Sequence, residues 1–277
     1  MKNGRGSHDS TAYFVIPAYN EAENIKFLFN NIRRFMLFFE QPYHVILVND
    51  GSTDNTVAEV ERFKETMPVT LQSFEKNLGP GRAFLLGFET ALAMAHDDDM
   101  VVTIEADNTS DLCPLYKMFE QCRRGYDLVL ASVYGEGKVV GAPLHRKIFS
   151  RCANLMMQIV FRIRKVNTFT SFFRVYRVSM LRNAYGLYGE RLMEEPGFIC
   201  MLELLVKLHS LKYEIAQVPM LLDSKIRVGK SKMKSLKNIK DTLRFTFKYF
   251  LNSGAIIVSP SQGKLIVAGP KTNHSGE

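Results

Sequence analysis

Five short strand-like segments, most of them apolar runs, set the architecture of this chain. They are Tyr13-Phe14-Val15-Ile16, Val45-Ile46-Leu47-Val48, Val69 to Phe74, Met100 to Ile104 and Leu128-Val129-Leu130. Most are continuous rather than alternating, as strands are when helices cover both faces of a sheet. Between the first two, Ile25, Leu28, Phe29, Ile32, Phe35, Met36 and Phe39 recur at the spacing of one helical face. Asp54 is placed to cap a second helix through about Glu65. A third helix is expected from Gly79 to Ala95, after the breaker Leu78-Gly79-Pro80-Gly81. A fourth carries Leu112, Leu115, Phe119 and Cys122. This βαβαβαβαβ order predicts an α/β fold with a mainly parallel central sheet flanked by helices. The length of 277 residues allows one large domain of this class or two small ones.

Beyond Ser132 the pattern is less regular. Gly135, Gly137, Gly141 and Pro143 mark a loop, and a helix is expected from about Leu144 to Arg162. A segment around Thr168 to Tyr176 follows, then a helix from about Phe198 to Leu208 and a strand near Tyr213 to Val218. The polar start, residues 1–10, predicts disorder rather than a signal peptide. Residues 252–277 are expected to be a flexible tail. No run of about 18 apolar residues is present, which argues against a membrane-spanning helix. Cys113, Cys122, Cys152 and Cys200 form no CxxC pair and are expected to be reduced core residues, without zinc.

Three of the apolar runs end in polar clusters: Pro17-Ala18-Tyr19-Asn20-Glu21, Asn49-Asp50-Gly51-Ser52-Thr53-Asp54 and Glu105-Ala106-Asp107. Strands that run parallel bring their carboxyl ends to one edge, where open α/β sheets bind ligands. Carboxylates are costly to bury alone, but two spaced i and i+2 can hold a hard divalent cation. Taken singly, Glu105-Ala106-Asp107 is a solvated acidic turn; three such ends on one edge describe a crevice. Neither the GxGxxG fingerprint nor the P-loop follows the first strand. His96-Asp97-Asp98-Asp99 lies before a strand, at the opposite edge, and is expected to be an acidic loop.

The net charge of +8 is concentrated in one place. Residues 225–248 hold nine basic residues and Asp241, which gives +8, equal to the excess of the whole chain. Met233, Leu236, Ile239, Leu243, Phe247 and Phe250 recur there at three or four, so residues 225–251 are expected to form a basic amphipathic segment. Such a helix either lies on an anionic membrane surface or packs on the sheet with a solvated lysine face. No nucleic-acid-binding motif accompanies the charge, and no nucleic-acid partner is expected.

The run Val15 to Glu21 followed by Val48 to Asp54 resembles the family-2 glycosyltransferases of the GT-A fold. Asn77-Leu78-Gly79-Pro80-Gly81 with Gly87 is similar to the next segment of that family. Arg146 to Asn154, Thr170 to Arg177, Gly197 to Glu203, Val218-Pro219 and Gly229-Lys230-Ser231-Lys232 resemble the dolichyl-phosphate mannosyltransferases and related polyprenyl-phosphate glycosyltransferases. The likeness runs from about Tyr13 to Leu251 and implies a glycosyltransferase domain over 11–224.

That resemblance implies roles residue by residue. Pro17, Tyr19, Asn20, Glu21, Asp50, Gly51, Ala106 and Asp107 would bind a GDP- or UDP-linked sugar. Glu105 and Asp107 would hold Mg²⁺ or Mn²⁺ and, through it, the diphosphate. Arg146, Arg151, Arg174, Arg227 and Lys232 would hold phosphates of donor or acceptor. Asp107, Arg151, Arg174 and Glu203 are the catalytic candidates. The implied reaction is inverting transfer of a mannose- or glucose-type hexose to a polyprenyl phosphate. A phosphate nucleophile needs no base, whereas a saccharide hydroxyl, the alternative acceptor, requires a carboxylate such as Glu194, Glu195 or Glu203. A third alternative is a catalytically impaired binding protein of the same fold. The resemblance also places the chain in the cytoplasm, peripheral on the cytosolic face of a membrane, with room for a membrane-embedded partner subunit. Five positions depart from the family's usual residues: Glu105, Thr109, Val133, Thr168 and Ile226.

Overall fold

A computed structural model describes residues 10–141, 144–223, 240–247, 257–258 and 265–266; the side chains at 144–147 and 149 lie outside the described set. Seven strands form one sheet. They are β1 (Ala12–Ala18), β2 (Tyr43–Asp50), β3 (Val69–Phe74), β4 (Met100–Thr103), β5 (Leu128–Ser132), β7 (Arg174–Arg177) and β8 (Ile215–Pro219). Their spatial order is β3-β2-β1-β4-β7-β5-β8. The β1–β2, β2–β3, β1–β4 and β5–β8 pairs are parallel. Only β7 runs against its neighbours β4 and β5. Six carboxyl ends therefore share one edge. The sequence segment around Thr168 to Tyr176 becomes the entry to β7, and Arg174 pairs with Thr103 on one side and Leu130 on the other.

The continuous apolar runs are explained by what covers them. Phe14 and Ile16 of β1 face one core, lined by α1 (Ala22–Phe38), α2 (Thr56–Glu61) and α4 (Pro114–Arg123). Tyr13 and Val15 face a second core, lined by α3 (Pro80–Met94), α5 (Leu144–Phe161), α6 (Val178–Tyr188) and α7 (Cys200–Ser210). The two cores on opposite faces make a three-layer α/β fold. Gly87 of α3 permits a close helix–sheet approach, since a Cβ there would lie 2.2 Å from a methyl of Val15. A small parallel pair, β6 (Lys138–Val140) with β9 (Leu221–Asp223), sits beside the main sheet.

Several expectations change. The second helix is a short one, ending at Glu61 rather than Glu65. Asp54 accepts the amide of Thr56 at 3.0 Å and its hydroxyl at 2.5 Å, so it closes a local turn at that helix's start. α6 and the 3₁₀ turn Gly189–Met193 occupy a stretch with no clear sequence signal. Only Cys122 and Cys200 are core residues; Cys113 and Cys152 are exposed. Asp99 accepts the amides of Thr11 at 2.7 Å and His96 at 2.8 Å, and Asp97 pairs with Arg182, so the acidic loop is structural. Residues 240–247 are helical, and Phe245 is buried with its ring 6.1 Å from that of Phe161. Leu243 and Phe247 of the expected apolar stripe remain exposed. The rest of 225–251, residues 1–9 and most of 252–277 lie outside the described residues. Within that last stretch Ile257–Val258 pairs antiparallel with Leu265–Ile266. Among the described residues no helix is long and apolar enough to cross a membrane.

Candidate active site

Adjacent strands β2, β1 and β4 place Asp50, Tyr19 to Glu21 and Glu105 to Asp107 side by side along the carboxyl edge. The first two loops are sewn together by side chains. Asn20, at φ 54°, accepts the amides of Thr53 at 2.7 Å and Asp54 at 3.3 Å on its Oδ1. Its own amide donates to the Ser52 hydroxyl at 2.9 Å. The Glu21 amide donates to the Thr56 hydroxyl at 2.9 Å, and its carboxylate accepts from Asn24 at 2.6 Å. Asn tolerates the left-handed region better than most residues, which suits this position. The side chains of Asn20 and Glu21 thus build the crevice wall, while Tyr19 stands 36% exposed at its rim.

Asp50 is almost fully buried, and its two oxygens accept the amides of Leu78 at 2.6 Å and Gly79 at 2.9 Å. Burial pushes its carboxyl above the ordinary range, partly offset by those two donors. A carboxylate has about four lone-pair sites, so each oxygen keeps capacity for a ligand hydroxyl or amine. Gly51, at φ 69°, lies under Lys76-Asn77, with no room for a Cβ. The loop after β3 is therefore pinned onto the loop after β2.

Asp107 is buried, with Glu105 half-buried two residues before it. The chain turns back at Asn108, φ 59°, and Thr109 donates both its amide, at 3.0 Å, and its hydroxyl, at 2.7 Å, to Asp107 Oδ1. Among the described residues no group of three or more His, Cys, Asp or Glu is placed to hold a metal ion by itself. A cation here would take carboxylate oxygens from Glu105 and Asp107 and complete its shell from a diphosphate and water. This donor set suits Mg²⁺ or Mn²⁺, which retain waters and bind through one or two carboxylates plus phosphate.

The other half of the edge belongs to β7, β5 and β8. A cavity of about 430 Å³ is lined there by Tyr134, Arg151, Asn154, Leu155, Gln158 and Asn167. The Tyr134 hydroxyl lies 2.5 Å from that of Ser150, and Asn154 donates to it at 3.1 Å. Arg151 is exposed at this rim. The Arg146 side chain, Arg227 and Lys232 lie outside the described set.

Two expected site residues are placed elsewhere. Arg174 is 0% exposed; its Nε donates to Ser171 O at 2.8 Å and Nη2 to Phe169 O at 2.7 Å. Backbone carbonyls of the turn before β7 hold this guanidinium inside the molecule through Nε and Nη2, while Nη1 is buried without a hydrogen-bond partner among the described residues. Glu203 is also buried. It accepts the amides of Glu194 at 3.0 Å and Glu195 at 2.8 Å, and Lys207 Nζ at 2.6 Å. Burial raises its pKa, against the pull of Lys207 and the two amides. A carboxylate so engaged is not open to deprotonate an acceptor. Glu194 and Glu195 are themselves paired, with Lys207 and Arg244 at 3.1 Å each. Lys207 and Thr109 are the contacts that sequence reasoning missed. The signals were present: Glu203 and Lys207 are four apart on a helix, and Asp107-Asn108-Thr109 is a local Asp turn.

Comparison with known proteins bears on the family and the fold. The profile of the family described as Glycosyl transferase family 2 matches residues 13–184. The dolichol-phosphate mannosyltransferase of Pyrococcus furiosus is 28% identical over 245 residues, covering 87% of this chain and 64% of that protein. The polyprenol monophosphomannose synthase of Mycolicibacterium smegmatis is 24% identical over 232 residues, 83% of each. The chain thus spans less than two thirds of the Pyrococcus protein. Glucosyl-3-phosphoglycerate synthase from Mycobacterium tuberculosis, solved with Mn²⁺, uridine diphosphate and phosphoglyceric acid, superposes with a TM-score of 0.62. At 18% identity, over 90% of this chain and 82% of that one, the likeness is one of fold.

Proposed function

The chain belongs to glycosyl transferase family 2, and on that premise we propose that it transfers a hexose from a nucleotide-diphosphate sugar to a polyprenyl phosphate. One observation carries this reading: Asp50, the Tyr19–Glu21 loop and the Glu105–Asp107 pair stand on three adjacent strand ends of one edge. The nucleoside would rest against Pro17, Tyr19, Asp50 and Gly51, with the diphosphate towards Ala106 and Asp107. Glu105 and Asp107 would hold Mg²⁺ or Mn²⁺, which supplies positive charge to a departing nucleoside diphosphate.

The acceptor's identity is supported by the carboxylates. All three base candidates, Glu194, Glu195 and Glu203, are engaged with cations, and Glu203 is buried as well. An acceptor that brings its own negative charge fits such a site. A lipid phosphate, with a second pKa near ~6, is mostly dianionic at pH 7 and needs positioning rather than deprotonation. Arg151, and from the basic segment Arg227 and Lys232, would steer that phosphate, with Arg146 at the start of α5. Arg174 would act only from within, by shaping the turn before β7.

The membrane side of the reading rests on exposed apolar side chains. Ile148, Leu155 and Ile159 share one face of α5 and are 52%, 57% and 69% exposed. Helix 240–247, packed on α5 through Phe245, adds exposed Leu243 and Phe247. Arg151 and Arg162 flank the α5 stripe, an arrangement suited to an anionic lipid surface. Incubation with labelled UDP- and GDP-hexoses and Mn²⁺, offering polyprenyl phosphate beside free saccharides, tests the proposal. Label that partitions into the lipid fraction supports it; label found only in water-soluble glycan contradicts it.

A further inference from the structure

The buried ion pair Glu203–Lys207 plays no part in the chemistry described above, yet it is linked to the nucleotide half of the edge by an unbroken series of contacts. Lys207 Nζ donates to Glu203 at 2.6 Å, to Glu194 at 3.1 Å and to the Arg191 carbonyl. Glu203 in turn accepts the backbone amides of Glu194 and Glu195. Together these bonds fix the segment 191–196 in one conformation.

The far end of that segment presses on the start of α3. The Pro196 carbonyl accepts the Gly81 amide at 3.0 Å. A Cβ at Gly81 would lie 2.1 Å from the Glu195 carbonyl oxygen, and one at Gly79 would lie 2.3 Å from that of Pro196. Backbone therefore packs on backbone, which explains two glycines in Leu78-Gly79-Pro80-Gly81. Gly79, at φ 93°, also needs the freedom only glycine has. The same loop gives its Leu78 and Gly79 amides to Asp50.

We propose that Glu203 and Lys207 are positioning residues for the nucleotide pocket, acting through a strut, residues 194–196, that wedges the start of α3 against Asp50. The inference rests on the reading that Asp50 lines that pocket. Binding sites need their contact groups held to a fraction of an ångström by such outer bonds. Asp50 is held by the amides of Leu78 and Gly79, and the strut packs on the other end of the same turn at Gly79 and Gly81, which supplies a second restraint beside the packing of Lys76-Asn77 on Gly51. A side chain more than two elements away in sequence then governs donor affinity without touching the donor.

The test combines amide exchange with binding in the full-length protein. Lys207→Met removes the cation, and Glu203→Gln/Lys207→Met removes both charges, so that no lone buried charge impairs folding. In either variant, exchange at 78–82 and 194–196 should quicken about tenfold or more, with β1 and β2 amides unchanged. Affinity for UDP or GDP with Mn²⁺ should fall, and the donor KM should rise with kcat nearly kept. Gly81→Ala, which pushes the strut away but leaves the pair intact, should reproduce the pattern. Unchanged exchange at 78–82 overturns the inference, as does faster exchange with unchanged nucleotide affinity. Wild-type protein that binds no nucleotide would overturn the functional reading instead, while the exchange measurements still report on the strut.

Discussion

Thr109 grips Asp107 twice, through its amide at 3.0 Å and its hydroxyl at 2.7 Å, both on Oδ1. The two bonds fix the carboxylate's rotation, so Asp107 meets a cation without first losing side-chain freedom. Outer bonds of this kind commonly govern metal affinity by about 10- to 100-fold. Thr109→Val, which keeps shape but deletes the hydroxyl, is expected to weaken Mn²⁺ affinity about tenfold, measured by calorimetry with UDP present. Unaltered affinity would show that the turn is structural only.

Asn20 joins the loops after β1 and β2 through Oδ1. Asn20→Ala removes that acceptor and also places alanine at φ 54°. A loss of about 1–3 kcal/mol is expected in urea denaturation. A loss of nucleotide-induced thermal stabilisation should accompany it, because the crevice wall is what loosens.

The raised pKa of Glu203 gives stability a specific pH dependence. Between the ordinary glutamate value of about 4.3 and the higher folded value, the folded state keeps a proton that the unfolded chain has released. Stability from this group is therefore complete at acid pH and declines as pH rises through that window. Denaturation of wild type and Glu203→Gln across the window should show the wild-type advantage shrinking with rising pH. A constant difference would mean that Lys207 and the two amides cancel the effect of burial.

The exposed face of α5 predicts lipid association. Leu155→Ser with Ile159→Ser should cut binding to anionic vesicles by tenfold or more, given roughly 1.5–3 kcal/mol for burying each side chain. Sedimentation with vesicles reads this directly, and equal binding by both proteins would place the lipid contact elsewhere.

The sheet was legible because its central strands are buried on both faces, so Val45 to Val48 reads as an unbroken apolar run and Val101 to Ile104 as one interrupted only by Thr103. The inserted strand β7 was harder, since Arg174 and Arg177 bracket only Val175 and Tyr176. The site's acids were visible at strand ends for the same reason that the strands were. Their partners were not. A guanidinium suggests a phosphate, but the carbonyls of Phe169 and Ser171 turn Arg174 inward. A glutamate in an apolar helix suggests catalysis, yet Lys207, one turn on, neutralises it. Such outcomes depend on which backbone groups a turn presents, and that follows from tertiary packing rather than residue type. The exposed stripe on α5 was likewise hidden, because periodicity marks an apolar face without saying what covers it.

Asp107, just beyond the end of β4, is proposed to seat the donor diphosphate for transfer to a lipid phosphate. The most direct measurement is hexose transfer from labelled nucleotide sugar to polyprenyl phosphate with Mn²⁺, comparing wild type with Asp107→Ala. Wild type is expected to give a lipid-linked product, and the variant a loss of at least about 100-fold, as for removal of a transition-state charge contact. Metal-dependent transfer that survives Asp107→Ala unchanged would contradict that role.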